Sequence, residues 1–416
     1  MAQETATTNN TTKPILIVGA GLAGLAVARL LTNSGIPNIV FEASQQNRSQ
    51  GFSISLRDWG YSALLRALGD VSFRSLTRGV APDRHIGGSG YVDLIMRDNA
   101  TGDVLVAPDP ETQPSIVRAN RNALRQWIAD NGDEALDVRY GHKLNNVEGK
   151  TGNVTAIFEN RARYHGSLII AADGVHSTVR SLILPEIIPE VIPAVVYHGE
   201  FRVSREEYDY LVRPLSGRSN ILAGVGDGFN TPITVCNLTK KEAHLDWSYS
   251  RMVRGDDDPL YSRESPLRDN TREIPQSLLN ELASRNLAQP WCHYLNAEAM
   301  QDHSVFRWTS KCVSMTRPAA EKGIAQGVVF IGDSWHAMPI FGGEGGCHAL
   351  VDAVELAASL VRQDDGLESL MSSYYDGAWQ RCSDAVRRSK GRFSVLHRPI
   401  AEWRQLAEKK GGVRVP

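Results

Sequence analysis

The chain has 416 residues, 42% of them hydrophobic and 22% charged, an ordinary globular composition too long for one small core. One large and one medium domain are expected. A formal charge of −2 argues against a broad electrostatic surface for nucleic acid.

Residues 1–13 are Thr/Asn-rich without a basic n-region and read as a disordered leader. The apolar stretch Ile15 to Leu31 is broken by glycines and Arg29, so it is neither a signal sequence nor a membrane span. No other run approaches the roughly twenty apolar residues a span requires. Cys236, Cys292, Cys312, Cys347 and Cys382 are scattered and form no C-x-x-C pair. That fits a reducing, cytoplasmic compartment and gives no zinc or thioredoxin-like spacing.

Ile15–Val18 is a short buried-strand run that leads into Gly19-Ala-Gly21-Leu-Ala-Gly24 and a helical stretch from Leu25 to Leu31. Gly19 suits the tight turn, Gly21 lets a pyrophosphate approach, and Gly24 lets the helix pack on the strand. The helix N-terminus offers free N–H groups to phosphates. A second strand, Asn38–Phe41, ends at Glu42, which can accept hydrogen bonds from ribose hydroxyls. This unit predicts a dinucleotide site without separating FAD from NAD.

Two later motifs separate them. Leu168–Ala171 runs into Asp173-Gly174, followed by His176 and Arg180. Val328–Ile331 runs into Gly332-Asp333, then His336, Pro339 and Gly342-Gly343-Glu344-Gly345-Gly346, which opens a helix from Cys347 to about Val361. Each places an Asp at the carboxyl end of a buried strand, where open α/β sheets bind ligands. A NAD dehydrogenase has no need of the second.

Together, over about residues 14–362, the motifs resemble the class A FAD-dependent monooxygenases, the p-hydroxybenzoate hydroxylase-like family. Within it the chain looks most like the tetracycline-inactivating and fungal secondary-metabolite members. The resemblance implies that Gly19, Gly21 and Gly24 bind the pyrophosphate of a non-covalent FAD and Glu42 its adenosine ribose. It implies that Arg121 contacts FAD, that Asp173-Gly174 serves FAD and NAD(P)H together, and that Asp333 holds the ribityl chain. Pro339, Gly345 and Gly346 would border the isoalloxazine, with the helix N-terminus stabilising negative charge there. The family commonly has Asn where this chain has Cys347; a backbone contact makes that side chain of little consequence for FAD binding.

The implied chemistry is reduction of FAD by NAD(P)H, addition of O2 at the flavin C4a, and oxygen transfer from the hydroperoxide to a small aromatic or polycyclic substrate. With Gly87-Gly88-Ser89-Gly90 lacking strand–helix context, the nicotinamide would bind transiently across the flavin domain. A halogenase would carry W-x-W-x-I-P, and a glutathione reductase-like enzyme a second fingerprint or a C-x-x-C; both are absent. A dehydrogenase or oxidase of the same fold, or a non-enzymatic FAD-bound regulator, remain the alternatives.

The expected architecture is α/β: a Rossmann-like FAD-binding domain from 14–184 and 326–362, an inserted, mainly antiparallel β-sheet substrate domain over 185–325, and C-terminal helices over 363–416. Alternating runs at Val195–Val203, Ile221–Val225, Ile233–Cys236 and His244–Arg251 build the inserted sheet. Tyr197, His198, Arg202, Trp247 and Tyr249 on these strands are candidates to line the cavity, with no assigned catalytic base. Gly255-Asp256-Asp257-Asp258 reads as a solvated turn and not a metal site. Leu367, Leu370, Met371, Tyr374, Tyr375, Ala378, Trp379 and Cys382 mark an amphipathic helix packed on the body. Pro399 starts a last helix ending near Gly411-Gly412, within a basic run from Arg387 that reads as solvated. Nothing in the sequence assigns an oligomeric state.

Overall fold

A computed structural model describes residues 13–46, 52–107, 116–262, 274–362 and 365–409. The leader before Lys13 and the Gly411-Gly412 terminus lie outside the described residues. In chain order come β1 (Ile15–Val18), α1 (Leu22–Asn33), β2 (Asn38–Glu42), β3 (Ser53–Arg57) and α2 (Asp58–Ala67). Then follow β4 (Met96–Asp98), β5 (Val104–Val106), β6 (Ile116–Asn120), α3 (Arg121–Asp130), β7 (Val138–Tyr140), β8 (Leu168–Ala171) and α4 (Thr178–Ile183). The middle holds β9 (Ala194–Ser204), β10 (Ile221–Gly226), β11 (Phe229–Asn230), β12 (Ile233–Leu238), β13 (Glu242–Met252) and β14 (Ser304–Arg307). The chain returns through β15 (Val328–Phe330) to α5 (Gly345–Val361), α6 (Leu367–Leu396) and α7 (Ile400–Lys409).

Two sheets organise these elements. Five parallel strands run in the order β15-β8-β1-β2-β7, with Val18 level with Ala171 on one side and Phe41 on the other. Their apolar runs are buried throughout β1, β8 and β15, as expected of strands covered on both faces. Because the register is parallel, Gly19, Glu42, Asp173 and Asp333 all emerge from the same carboxyl edge. That shared edge is what makes one groove of four distant motifs.

The second sheet runs β14-β9-β13-β11-β10-β4-β5, with β12 beside β10 and β13. It is antiparallel except where β10 meets β4. All four alternating runs expected of the inserted sheet are strands here. Strands β4 and β5, however, come from the stretch 14–184 that the sequence reading places with the cofactor-binding part. Three residues each, they are too short to show a period.

Helix α6 buries Leu370, Met371, Tyr374, Tyr375, Ala378 and Cys382 against the body, as the spacing predicts. Helix α7 packs Trp403 with Leu105, Val106 and Val225, so the end of the chain closes on the large sheet. The basic run is only partly solvated: Arg404 Nη2 donates to Asp98 at 2.7 Å, and Arg392 Nη1 to Glu344 at 2.8 Å. Asp258 also departs from the solvated-turn reading. It is buried and accepts two hydrogen bonds from Arg251, at 2.5 and 2.9 Å. No helix among the described residues is long and apolar enough to cross a membrane.

Candidate cofactor and substrate site

The glycine loop is fastened from three sides. Gly19 donates its N–H to Phe41 O at 2.7 Å and has φ +106°. A Cβ there would lie 2.4 Å from Ala172 O, and one on Gly24 would lie 1.9 Å from Gly19 O. Packing alone therefore demands glycine at both. Gly21 is different, because a Cβ there would meet no protein atom closer than 3.9 Å. Its missing side chain leaves main chain open to something outside the protein, as a bound pyrophosphate requires. Glu42 accepts from Ala20 N at 3.0 Å and from Ser44 N at 2.9 Å, and Arg125 Nε donates to Ala20 O at 2.8 Å. Arg125 received no role from the sequence; its spacing one helical turn after Arg121 was the available signal.

Asp173 turns inward, accepting from Ser177 Oγ at 2.6 Å and Val179 N at 3.0 Å, while Gly174 sits at φ +81°. Burial pushes its carboxyl above the usual range, against the pull of these donors. Arg180 joins this motif to the Gly332-Asp333 motif by donating to Ser334 O at 2.8 Å and to Val175 O at 2.6 Å. It is an anchor. Half-buried His176 is held below its ordinary value by burial, with Lys311 and Arg180 adding to the effect.

Asp333 opens to solvent, yet surrounding protein raises its carboxyl, with the charges of His336 and Arg121 opposing. Arg121 is the first residue of α3 behind the Asn120 cap. A Cβ on Gly345 would stand 3.8 Å from Asp333 Oδ1, and one on Gly346 3.2 Å from Ile54. Pro339 is buried, its carbonyl accepting from Ser389 Oγ at 2.6 Å.

Beneath this turn lies a network the sequence did not reveal. Asp352 on α5 accepts from His336 Nε2 at 2.5 Å, Gly332 N at 2.8 Å and Arg381 Nη2 at 2.9 Å. Burial alone would push the His336 imidazole down; the Asp352 carboxylate overrides it and holds the ring well above its ordinary value. Burial would likewise raise Asp352, but His336 and Arg381 keep it far below the usual carboxylate range. The ion pair fixes the residue just before Asp333.

Cys347 is fully buried, accepts from Arg57 N at 3.1 Å and packs where a Cβ on Gly60 would fall 2.6 Å from its own. Its side chain is a packing element between α5 and α2, which the motif comparison did not anticipate.

Residues 12–191 match the family described as FAD binding domain. The chain is 65% identical over 401 residues to the FAD-dependent monooxygenase vrtH of Penicillium aethiopicum, covering 96% of this chain and 97% of that one. The FAD-dependent monooxygenase adaC of Aspergillus niger is 63% identical over 402 residues, at 96% and 97% coverage. The chain belongs to the FAD-dependent monooxygenases. Its fold is shared with Klebsiella pneumoniae HpxO complexed with FAD and uric acid, at a TM-score of 0.71, 20% identity, and coverage of 95% of this chain and 92% of that one.

In this monooxygenase the face of the large sheet sorts the candidate substrate residues. Across β9 and β13, Tyr197 pairs with Tyr249 and Gly199 with Trp247, all on the face packed in the sheet's own core. Trp247 Nε1 donates to His303 Nδ1 at 3.0 Å, and Tyr197 Oη to Leu260 O at 3.4 Å. Arg202 is exposed at the strand's far end, paired with Glu242 at 2.8 Å. These residues stand away from the groove. His198 and, four residues further along β9, Arg202 face the opposite side, and His198 is stacked on Phe306 and ringed by Phe52 and Trp308. Burial lowers its imidazole, with Asp246 and Glu200 opposing. The two-residue period carried the right information, but sequence alone could not say which face met the cofactor side.

Proposed function

We propose that the enzyme uses NAD(P)H and O2 to hydroxylate or epoxidise a small aromatic or polycyclic molecule, in secondary-metabolite biosynthesis. One observation supports this most: next to β3, whose Ile54 and Ser55 lie against the Gly346 and Gly343 positions, Phe52, His198, Phe306 and Trp308 form an aromatic cluster on the large sheet. Five cysteines without a disulfide among them suit a cytoplasmic setting.

When bound, FAD supplies the redox and oxygen-activating chemistry. The chain's residues bind and orient. In this proposal the Gly19–Gly24 loop takes the pyrophosphate, Glu42 the adenosine ribose, and Asp333 the ribityl hydroxyls. Arg121 and Asp173-Gly174 border the same cofactor, and Pro339, Gly345 and Gly346 its ring system. Helix α5 starts at Gly345, and its N-terminal N–H groups would stabilise negative charge on the ring system of the bound cofactor. Glu344, at the cap, would cancel that field. Arg57 at 3.0 Å and Arg392 at 2.8 Å offset its charge. The aromatic cluster keeps water from the reacting region.

The test is titration of purified protein with FAD, followed by NAD(P)H consumption and O2 uptake across a panel of aromatic and polyketide compounds. A product heavier by one oxygen atom is expected. Protein that takes up no FAD, or that oxidises NAD(P)H with no compound oxygenated, overturns the proposal.

A further inference from the structure

Arg118 lies on β6 at the seam between the two sheets and is 8% exposed. It pairs in register with Ser55 on β3. Its Nη1 donates to Ser55 Oγ and its Nη2 to Thr234 Oγ1 on β12, both at 3.2 Å. Its Nε is buried without a hydrogen-bond partner. Thr234 in turn donates to Asp246 Oδ1 at 2.5 Å, and Cys236 Sγ donates to Asp246 Oδ2 at 3.1 Å. Asp246, whose charge acts on Arg118, is therefore occupied by other donors, and among the described residues no carboxylate is hydrogen-bonded to the guanidinium.

The other buried arginines are resolved differently. Arg251 is bonded to Asp258 and Glu281, while Arg29 and Arg180 rest on main-chain carbonyls in the cofactor-binding part. Arg118 rests on two neutral hydroxyls. A buried cation costs stability unless it is paired, so such a residue needs a reason. Its position supplies one. Ser55 Cβ stands 3.9 Å from where a Cβ on Gly343 would be, and Ile54 beside it touches the Gly346 position. Asp246, level with Glu200 and two pairs along from His198 and Ser248, shares the sheet face that looks toward that loop. A planar, forked cation is suited to a resonance-delocalised oxyanion.

We propose that Arg118 is a specificity-determining residue that holds an acidic oxygen of the substrate, a phenol or an enolised β-dicarbonyl, as its anion. The inference rests on the monooxygenase reading above. The substrate's proton is released to solvent on dissociation and the anion is what binds. Thr234, tied to Asp246, keeps the guanidinium fork in place.

The test uses FAD-loaded enzyme and two probes, 1,3-dihydroxynaphthalene and its dimethyl ether, followed by perturbation of the bound flavin spectrum. Wild type is expected to bind the diol more tightly than the ether and to show naphtholate absorbance at pH 7. Arg118→Met should weaken diol binding roughly ten- to a hundredfold, the loss of one charge-assisted hydrogen bond, and abolish the naphtholate band while leaving ether binding alone. Arg118→Lys should restore part of both. Thr234→Val should weaken the diol by about two- to tenfold, and it decides the matter with the Lys variant if Arg118→Met does not fold. Wild type that binds FAD but prefers the ether, binds neither probe, or shows no naphtholate band overturns the role of Arg118 alone. Equal diol binding by wild type and the folded Arg118 variants overturns it too. Wild type that binds no FAD overturns the proposed function, and this inference with it.

Discussion

Replacing Asp352 by Asn removes one charge and almost no volume from the network under Asp333. In the wild type the Asp352 side chain is 0% exposed and that of His336 3%, so solvent screens neither. Breaking a buried pair by deleting one partner costs about 3–5 kcal/mol, because the other charge is left stranded. Asn can still accept from Gly332 N, so the turn before Asp333 should survive in part and FAD affinity should fall by about tenfold, one hydrogen bond's worth. The effect should depend on pH in a stated direction. His336 is raised in the folded wild type, so its contribution is complete below the unfolded value of about 6.5 and fades as pH climbs through the folded value. Without the carboxylate, burial lowers the ring instead, and the variant then loses stability as pH falls below about 6.5. The gap between wild type and Asp352→Asn should accordingly be wider at about pH 5.5 than at about pH 8.5. Urea unfolding at fixed FAD concentration gives the gap, and flavin fluorescence gives the dissociation constant. A stability loss under about 1 kcal/mol, or a gap that widens toward alkaline pH, would refute the ion-pair account.

Gly24→Ala should prevent FAD uptake outright, since its Cβ would fall 1.9 Å from Gly19 O; near-normal cofactor content in the purified variant would contradict the packing. Cys347→Asn should destabilise by about 1–3 kcal/mol through crowding against Gly60, while FAD affinity stays within a few-fold; denaturation midpoints and FAD titration separate the two. Asp333→Ala should weaken FAD binding by about ten- to a hundredfold with little loss of fold, because the side chain opens on the groove, and unchanged binding would remove Asp333 from the site.

What the sequence made legible, and what it hid, follows from the range of each interaction. The cofactor motifs were readable because each is local: a buried strand, a turn and a helix start lie within about ten residues, and the parallel register brings their ends to one edge. Asp352 was not readable. It lies in a helix whose neighbours Leu350, Val351 and Ala353 are apolar, and its partners come from 16, 20 and 29 residues away. A fully buried Asp in such a run is itself a signal that paired donors are needed, although sequence could not name them. The substrate face was half-readable. Alternation placed His198 and Trp247 on strands, but the face assigned to each depends on what covers the sheet. Gly199 carried an overlooked clue, for a Cβ there would sit 2.3 Å from the Trp247 ring. A glycine mid-strand opposite a tryptophan marks where the large ring lies flat across the neighbouring strand, and so which face is core. Applied to β9 and β13, that rule assigns Tyr197, Trp247 and Tyr249 to the interior of the large sheet and leaves His198, Ser248 and Asp246 for the cofactor side.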